Sequence, residues 1–351
     1  MEKFAQLVSS DPGVSSLCSA PFRLGGLTID APAFLAPMAG VTDLAMRRLA
    51  RGFGAGLAFS EMVASGDLAD GGRESALRAM GDGLAPHAVQ LVGREPESLA
   101  EAARRVEGAG ADLIDINMGC PAKRVVGGAC GSALMRDLDL AASLIAAVVG
   151  AVKVPVSVKM RLGWDEASLN APELARRAEC EGAAMVVVHG RTRSQFYRGA
   201  ADWAAIRPVS AAVAIPVVAN GDCRSPEDAR EMLAQSGAKA VMIGRAALGR
   251  PWIVGDIAYF LRNGRRRPAP SAQARREAAR EHFATLLELM GPLQGLRHAR
   301  KHLAAYADRA GEQDGGLDVA ARRRLVESED AREIFDLLNL LHRGEREAEA
   351  A

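Results

Sequence analysis

The chain has 351 residues, of which 49% are hydrophobic, 25% charged and 4% aromatic. That is long enough for a barrel of about 250 residues with an appendage, or for two mid-sized domains, and too apolar for a chain that is mainly disordered. The net charge of +1 conceals an uneven distribution: Leu261 to Ala310 holds eleven Lys and Arg against four acids, while the residues beyond hold six basic against eleven acidic.

The first twenty residues show neither a basic stretch followed by an apolar run nor another targeting pattern, and no run of ~18 apolar residues follows them, so no membrane span is expected. The five cysteines, Cys18, Cys120, Cys130, Cys180 and Cys223, form no CxxC pair. That usage, without histidines at zinc spacing, predicts a reducing, cytoplasmic setting with no metal site and no disulfide.

Eight short apolar runs then succeed one another about 25 to 40 residues apart: FLAPM (34–38), LAFSEM (57–62), HAVQLVG (87–93), LIDINMG (113–119), VPVSVKM (154–160), MVVVHG (185–190), IPVVANGD (215–222) and AVMIGR (240–245). Helical patterns lie between them, for example 43–53, 95–110, 171–182 and 225–237, several opening on Asp, Ser or Pro and closing at Gly. Continuous apolar strands are buried on both faces, which predicts a parallel sheet, and eight βα units predict a (β/α)8 TIM barrel. The rival doubly wound sheet ordinarily shows a glycine fingerprint after its first strand, and APMAGVTD is not one. After Trp252 only helical patterns follow. The expected organisation is an extension over 1–20, a barrel over 21–261, a Pro- and Arg-rich linker over 262–271, a C-terminal α-helical domain over 272–343 and a tail over 344–351.

In such a barrel the polar residues at the C-terminal strand ends face the active site. Those ends are Met38, Glu61, Gln90, Asn117, Lys159, His189 with Arg191, Asn220 with Asp222, and Gly244 with Arg245. The last two strands end in glycine beside polar or basic residues, where barrels commonly hold a phosphate. Lys159 in an apolar strand either pairs with an acid or stabilises negative charge on a ligand. The long glycine-rich segment after the fourth strand, carrying Cys120 and Cys130, is expected to project over the same face.

Farther on, Arg297, Arg300 and Lys301 share one helical stripe and suit the phosphate backbone of a folded RNA. His298 and His302 stand four apart on the same helix with no third ligand in the nearby sequence, and are grouped with that stripe.

Together APMAGVTD, FSEMVAS, VQLVG, DINMGCPAKRVVGGACGSALMRD, VKMRLGW, VHGRTR, PVVANGD and VMIGRAALGRPWI resemble, in order and spacing, the motifs of the tRNA-dihydrouridine synthases, closest to the bacterial DusB-type branch. The resemblance covers about residues 21 to 305. It implies an FMN-containing barrel, a helical tRNA-binding domain, and NADPH or NADH as reductant. It further implies FMN contacts from Pro37, Met38, Ala39, Gln90, Lys159, His189, Asn220, Gly221, Asp222, Gly244 and Arg245. Cys120 would be the proton donor, and Glu61, Asn117 and Arg191 would lie near the uracil or its ribose. A monomer is expected.

Reducing the C5–C6 bond of uridine takes a hydride at C6 from flavin N5 and a proton at C5. A cysteine at its reference pKa of ~8.5 is mostly protonated at neutral pH, where a carboxylic acid would be ionised. Cys130, among small residues, reads as a spacer. Two other readings share part of this pattern: an FMN barrel dehydrogenase or reductase acting on a free pyrimidine or other small enone, which has no need of a basic helical domain, and a non-catalytic RNA-binding protein on a barrel scaffold, which has no need of the flavin positions.

Overall fold

The structure, a computed structural model, describes residues 21–312 and 316–343. The expected extension over 1–20, with Cys18, and the tail over 344–351 lie outside the described residues.

An antiparallel hairpin of β1 (Phe22–Leu24) and β2 (Leu27–Ile29) precedes eight parallel strands: β3 (Ala33–Leu35), β4 (Leu57–Ala64), β5 (Ala88–Val92), β6 (Leu113–Met118), β7 (Val156–Arg161), β8 (Met185–His189), β9 (Val217–Asn220) and β10 (Ala240–Ile243). Each pairs with the next and β10 closes back on β3, giving the expected (β/α)8 barrel. The intervening helices start where the sequence signals them. Asp43 caps the helix Leu44–Gly52 by accepting the Met46 N–H at 2.9 Å, and Ser225 caps Pro226–Ser236 by accepting the Asp228 N–H at 3.0 Å.

Alternation along the strands divides the apolar residues in two. Phe34, Leu57, Phe59, Leu113, Met185, Val187, Val218 and Met242 fill the barrel interior together with Leu24 and Ile29 of the hairpin, which closes its N-terminal end. Their neighbours of opposite parity, such as Leu35, Leu91, Ile114, Ile116, Val158, Val186 and Val188, pack outward against the helices. The hairpin has no counterpart in the sequence expectations, because two three-residue strands leave too short a pattern.

The interior parity then turns polar toward the C-terminal face. Ala88 is followed inward by Gln90, Leu113 by Asp115 and Asn117, Val187 by His189, and Val218 by Asn220. Register sets these side by side: Gln90 opposite Asp115, Asn117 opposite Lys159, Arg161 opposite His189, and His189 opposite Asn220.

The barrel's final helix, Ile253–Asn263, runs two residues into the expected linker. Helices Ala272–Met290, Pro292–Gly311, Val319–Glu327 and Ala331–Leu338 follow and enclose a second core of Phe283, Leu286, Leu303, Leu325, Leu337 and Leu338. Leu49 and Trp252 of the barrel belong to the same core, so the two parts share apolar burial, each such side chain contributing about 1.5–3 kcal/mol. No described helix is long and apolar enough to cross a membrane.

Candidate active site

A cavity of about 960 Å³ opens at the C-terminal end of the barrel. Pro37, Met38, Ala39, Gln90, Asn117, Cys120, Lys159, His189, Arg191, Asn220, Gly221, Asp222, Gly244 and Arg245 line it, so the structure brings together all but four of the predicted site residues. The four are Glu61, Arg297, Arg300 and Lys301.

One hydrogen-bonded chain organises its floor. Asp115, fully buried, accepts from Ser157 Oγ and Gln90 Nε2, each at 2.6 Å. Gln90 Oε1 accepts from Asn117 Nδ2 at 2.7 Å, and Asn117 Oδ1 accepts the backbone N–H groups of Gly119 and Cys120 at 3.1 and 2.9 Å. The chain fixes the amide orientations and ties the cysteine-bearing turn to the strands. Beyond the turn, the segment folds back so that Ser132 donates to the Cys120 carbonyl through both its hydroxyl and its N–H. Cys130 lies outside the cavity with its thiol on the Gly128 carbonyl at 3.2 Å, and burial pushes its pKa up.

Beside Asp115, Lys159 donates to Asn220 Oδ1 at 3.1 Å. Burial lowers the lysine to about 8, against the opposing pull of the Asp115 carboxylate, and burial raises Asp115 to about 6. His189 is held well below its ordinary value, first by burial and then by Lys159, Arg161, Arg191 and Arg245, which leaves a neutral imidazole. Next to it Gly221 has φ of +121°, and a Cβ there would come within 2.9 Å of His189 Cδ2. Only glycine lets the chain pass that close to the ring.

Two buried arginines bind the loops to one another. Arg161 donates to the carbonyls of Gly119, Thr192 and Phe196 at 2.8, 2.8 and 2.9 Å, joining the cysteine-bearing segment to the loop after β8. Arg191 donates to the Gly199 carbonyl at 2.6 Å and pairs with the Asp222 carboxylate, which also receives Arg245 at 3.0 Å. Arg191 therefore lines the cavity with its guanidinium already engaged.

Seven cationic side chains line the cavity, Lys159, Arg161, Arg191, Arg224, Arg245, Arg250 and Arg309, against the single carboxylate of Asp222. Such an excess suits an anionic ligand. The donor set fits FMN: amides of Gln90, Asn117 and Asn220 and the Lys159 ammonium at the floor suit the polar edge of a flavin, and Arg224 and Arg245 beside Gly221 and Gly244 suit a phosphate.

Glu61 departs from expectation. The register between β4 and β5 shifts between Phe59 and Met62, so Met62 reaches the cavity while Glu61 turns aside, accepts the Gly40 N–H and lies 3.7 Å from Arg78. It lies outside the cavity lining and braces the loop after β3.

The basic segment also divides. Arg276 donates to the carbonyls of Leu341 and His342 at 3.4 Å, Arg280 to Asn339 Oδ1 at 2.6 Å, and Arg267 to Asp256 at 2.5 Å. These charges hold the helical domain and its linker together. Arg297, Arg300 and Lys301 are exposed, with no hydrogen bond or ion pair among the described residues, and a Cβ on Gly40 would fall on Lys301 Nζ, which places that ammonium beside the loop after β3. His298 and His302 do not belong to this stripe. They turn inward, toward Asp43 of the barrel.

Asp115, Arg161, Arg224, Arg250 and Arg309 were not singled out from the sequence. Asp115 and Arg161 have the inward parity of Asn117 and Lys159 and could have been found by it. Arg309 could not, since its helix meets the cavity only through the fold.

The family model described as "Dihydrouridine synthase (Dus)" matches residues 34–332. A "Probable tRNA-dihydrouridine synthase" of Rhizobium leguminosarum bv. phaseoli is 51% identical over 304 residues, covering 86% of this chain and 92% of its own. The "tRNA-dihydrouridine synthase B" of Xanthomonas axonopodis pv. citri is 48% identical over 322 residues, 90% of this chain and 96% of its own. Among solved structures, the chain superposes on histamine dehydrogenase from Rhizobium sp. 4-9 with a TM-score of 0.55 at 14% identity, covering 76% of this chain and 51% of that one. With a 2-naphthoyl-CoA reductase the TM-score is 0.52 at 11% identity, covering 69% and 52%. The chain spans about half the length of these two structures, and the likeness is one of fold. A family match over most of the chain and identities near one half leave one conclusion: this chain belongs to the dihydrouridine synthase family, on the branch of tRNA-dihydrouridine synthase B.

Proposed function

We propose that the chain reduces the C5–C6 double bond of particular uridines in tRNA, with FMN in the barrel cavity and NADPH as electron donor. When bound, the flavin supplies the hydride for uracil C6. Gln90 and Asn220 would orient its polar edge, with Pro37, Met38 and Ala39 forming one wall of the site and His189 another. Arg224 and Arg245, beside Gly221 and Gly244, would carry the phosphate end, with the Asp222 carboxylate holding Arg245 in place. The Lys159 side chain, drawn toward its charged form by the neighbouring Asp115 carboxylate, would offset negative charge on the reduced ring.

Cys120 Sγ gives its proton to uracil C5. Asn117 faces the uracil, and Arg191 holds the loop after β8 through Asp222 and Gly199 so that the base meets a formed wall. The observation that carries the assignment is the hydrogen-bonded chain Ser157, Asp115, Gln90, Asn117 and the Cys120 N–H. It ties the thiol-bearing backbone to the same amides that would hold the ring, which would bring acid and hydride source together. A neutral His189 has no proton to spare at neutral pH and suits a packing role.

Leaving the RNA stack costs the target base energy, which backbone contacts at Arg297, Arg300 and Lys301 offset. Arg309 of the helical domain lines the cavity, so that domain borders the site, which favours a tRNA over a free pyrimidine as substrate. A cytoplasmic monomer goes with this reading.

The test is the Cys120→Ala protein with unmodified tRNA. Dihydrouridine formation, followed by nucleoside mass spectrometry, falls by about 10²- to 10⁴-fold, the usual contribution of a general acid. The flavin stays bound and is still bleached by NADPH, and Cys130→Ala retains most activity. Equal loss from both substitutions, or a purified protein without flavin absorbance, refutes the reading. A yellow protein with no affinity for tRNA would mark a small-molecule reductase instead.

A further inference from the structure

Away from the cavity, three histidines of the helical domain converge on one carboxylate of the barrel. Asp43 lies at the start of Leu44–Gly52, and His298 and His302 lie one turn apart on Pro292–Gly311. His302 Nε2 is 3.2 Å and His298 Nε2 3.4 Å from Asp43 Oδ2, and the three ligand atoms fall within 4.8 Å of one another. Asp43 and His302 are 5% and 2% exposed. A hydrogen-bonded cluster would aim a ring N–H squarely at the carboxylate, yet both imidazole nitrogens are buried and lie at ion-pair distance from Asp43 without, among the described residues, a well-aligned hydrogen bond. Two nitrogens turned toward one carboxylate oxygen without hydrogen-bond geometry are the arrangement that a shared cation completes.

We propose that Asp43, His298 and His302 bind a divalent first-row transition metal, with Zn²⁺ the ion best suited, and that the metal clamps the helical domain to the barrel. A tetrahedral ion with ligands at ~2.0–2.1 Å has ligand-to-ligand edges of roughly 3.3–3.4 Å, close to both Asp43 separations. Two imidazoles and a carboxylate are the borderline nitrogen and oxygen donors that Zn²⁺ accepts. Histidines at i and i+4 present their rings on one helix face, as binding one ion requires.

The surrounding residues complete the case. Asp43 Oδ1 accepts the Met46 N–H, which fixes the carboxylate plane. His282 Nε2 lies 3.3 Å from the same carboxylate, and its Nδ1 meets the Tyr306 hydroxyl at 3.0 Å, a relay of the kind that orients metal ligands from outside the coordination sphere. His298 is the most exposed of the three ligands, its side chain 18% accessible, and gives the ion an entry path.

The test uses tag-free full-length protein with its flavin in place. Elemental analysis of the purified protein, and of protein treated with chelator and re-equilibrated with ZnCl₂, returns one zinc per chain, and the zinc raises the thermal midpoint. His302→Ala and, separately, the less buried His298→Ala lose the zinc and the midpoint shift while keeping the flavin spectrum, which shows that the barrel is folded. Tyr306→Phe still binds zinc, about 10-fold more weakly. Wild-type protein that takes up no metal at micromolar ZnCl₂, or histidine variants that bind it undiminished, would overturn the proposal in favour of a metal-free cluster.

Discussion

Arg161 and Arg300 carry the same guanidinium in regions of opposite character. The first is 1% exposed at the end of β7 with three backbone carbonyls as partners, and burial holds it at about 10. The second is exposed on Pro292–Gly311 with no hydrogen bond or ion pair among the described residues. One arginine is spent on shape and the other is available to a partner. Composition counts them alike, so charge alone says little until each side chain's partners are known.

The comparison breaks first at Arg161. Arg161→Ala leaves the carbonyls of Gly119, Thr192 and Phe196 without their donor, and buried unpaired groups cost about 1–3 kcal/mol each. A loss of about 3 kcal/mol or more, and a thermal midpoint lower by on the order of 5 °C, is expected in calorimetry. The cysteine-bearing segment and the loop after β8 lose their shared tie, so flavin affinity falls as well. A variant as stable as wild type would show that these loops are held by something other than Arg161.

Next in size is Asp115. Its charge raises Lys159 against the lowering effect of burial, so Asp115→Asn drives the lysine below about 8. Lys159 is depressed when folded and loses its proton as pH rises through about 8. The alkaline limb of flavin reduction by NADPH, a half-reaction that does not call on the thiol, therefore moves to lower pH in the variant. The sign also holds for stability: between about 8 and the unfolded value near 10.4 the unfolded chain binds more protons than the folded one, so stability climbs with pH across that window. An unmoved limb in Asp115→Asn would mean that Lys159 is not the group being read.

These two residues also mark how far the sequence could be read. The eight strands are legible because each is a continuous apolar run, and the strand-end set is legible because inward parity carries Gln90, Asn117, Lys159, His189 and Asn220 to one face. Parity fails at Glu61, where the break between Phe59 and Met62 turns the side chain away, and no local pattern announces that break. Asp115 and Arg161 sit in the right register but look like components of a strand until their partners are seen. The convergence of Asp43 with His298 and His302 was illegible, because it joins a helix start in the barrel to a helix of the other domain and rests wholly on tertiary packing.

The smallest expected effects lie on the exposed side of the comparison. Arg297→Ala, Arg300→Ala and Lys301→Ala should each leave the thermal midpoint within about 1 °C, since surface changes away from special contacts stay near ±0.5 kcal/mol. Their signature is in tRNA binding against salt. If each neutralises one phosphate, each substitution lowers the slope of log K against log salt by about 0.7–0.9, and weakens unrelated tRNAs alike, because phosphate contacts carry no sequence information. Lys301 should differ from the other two. Its ammonium stands beside Gly40 in the loop that Glu61 braces from the other side, so Lys301→Ala can also disturb the wall formed by Pro37, Met38 and Ala39. A lowered slope with unchanged flavin affinity in Lys301→Ala makes it a phosphate contact like its neighbours; a weakened flavin with an unchanged slope moves it to the architectural side with Arg161.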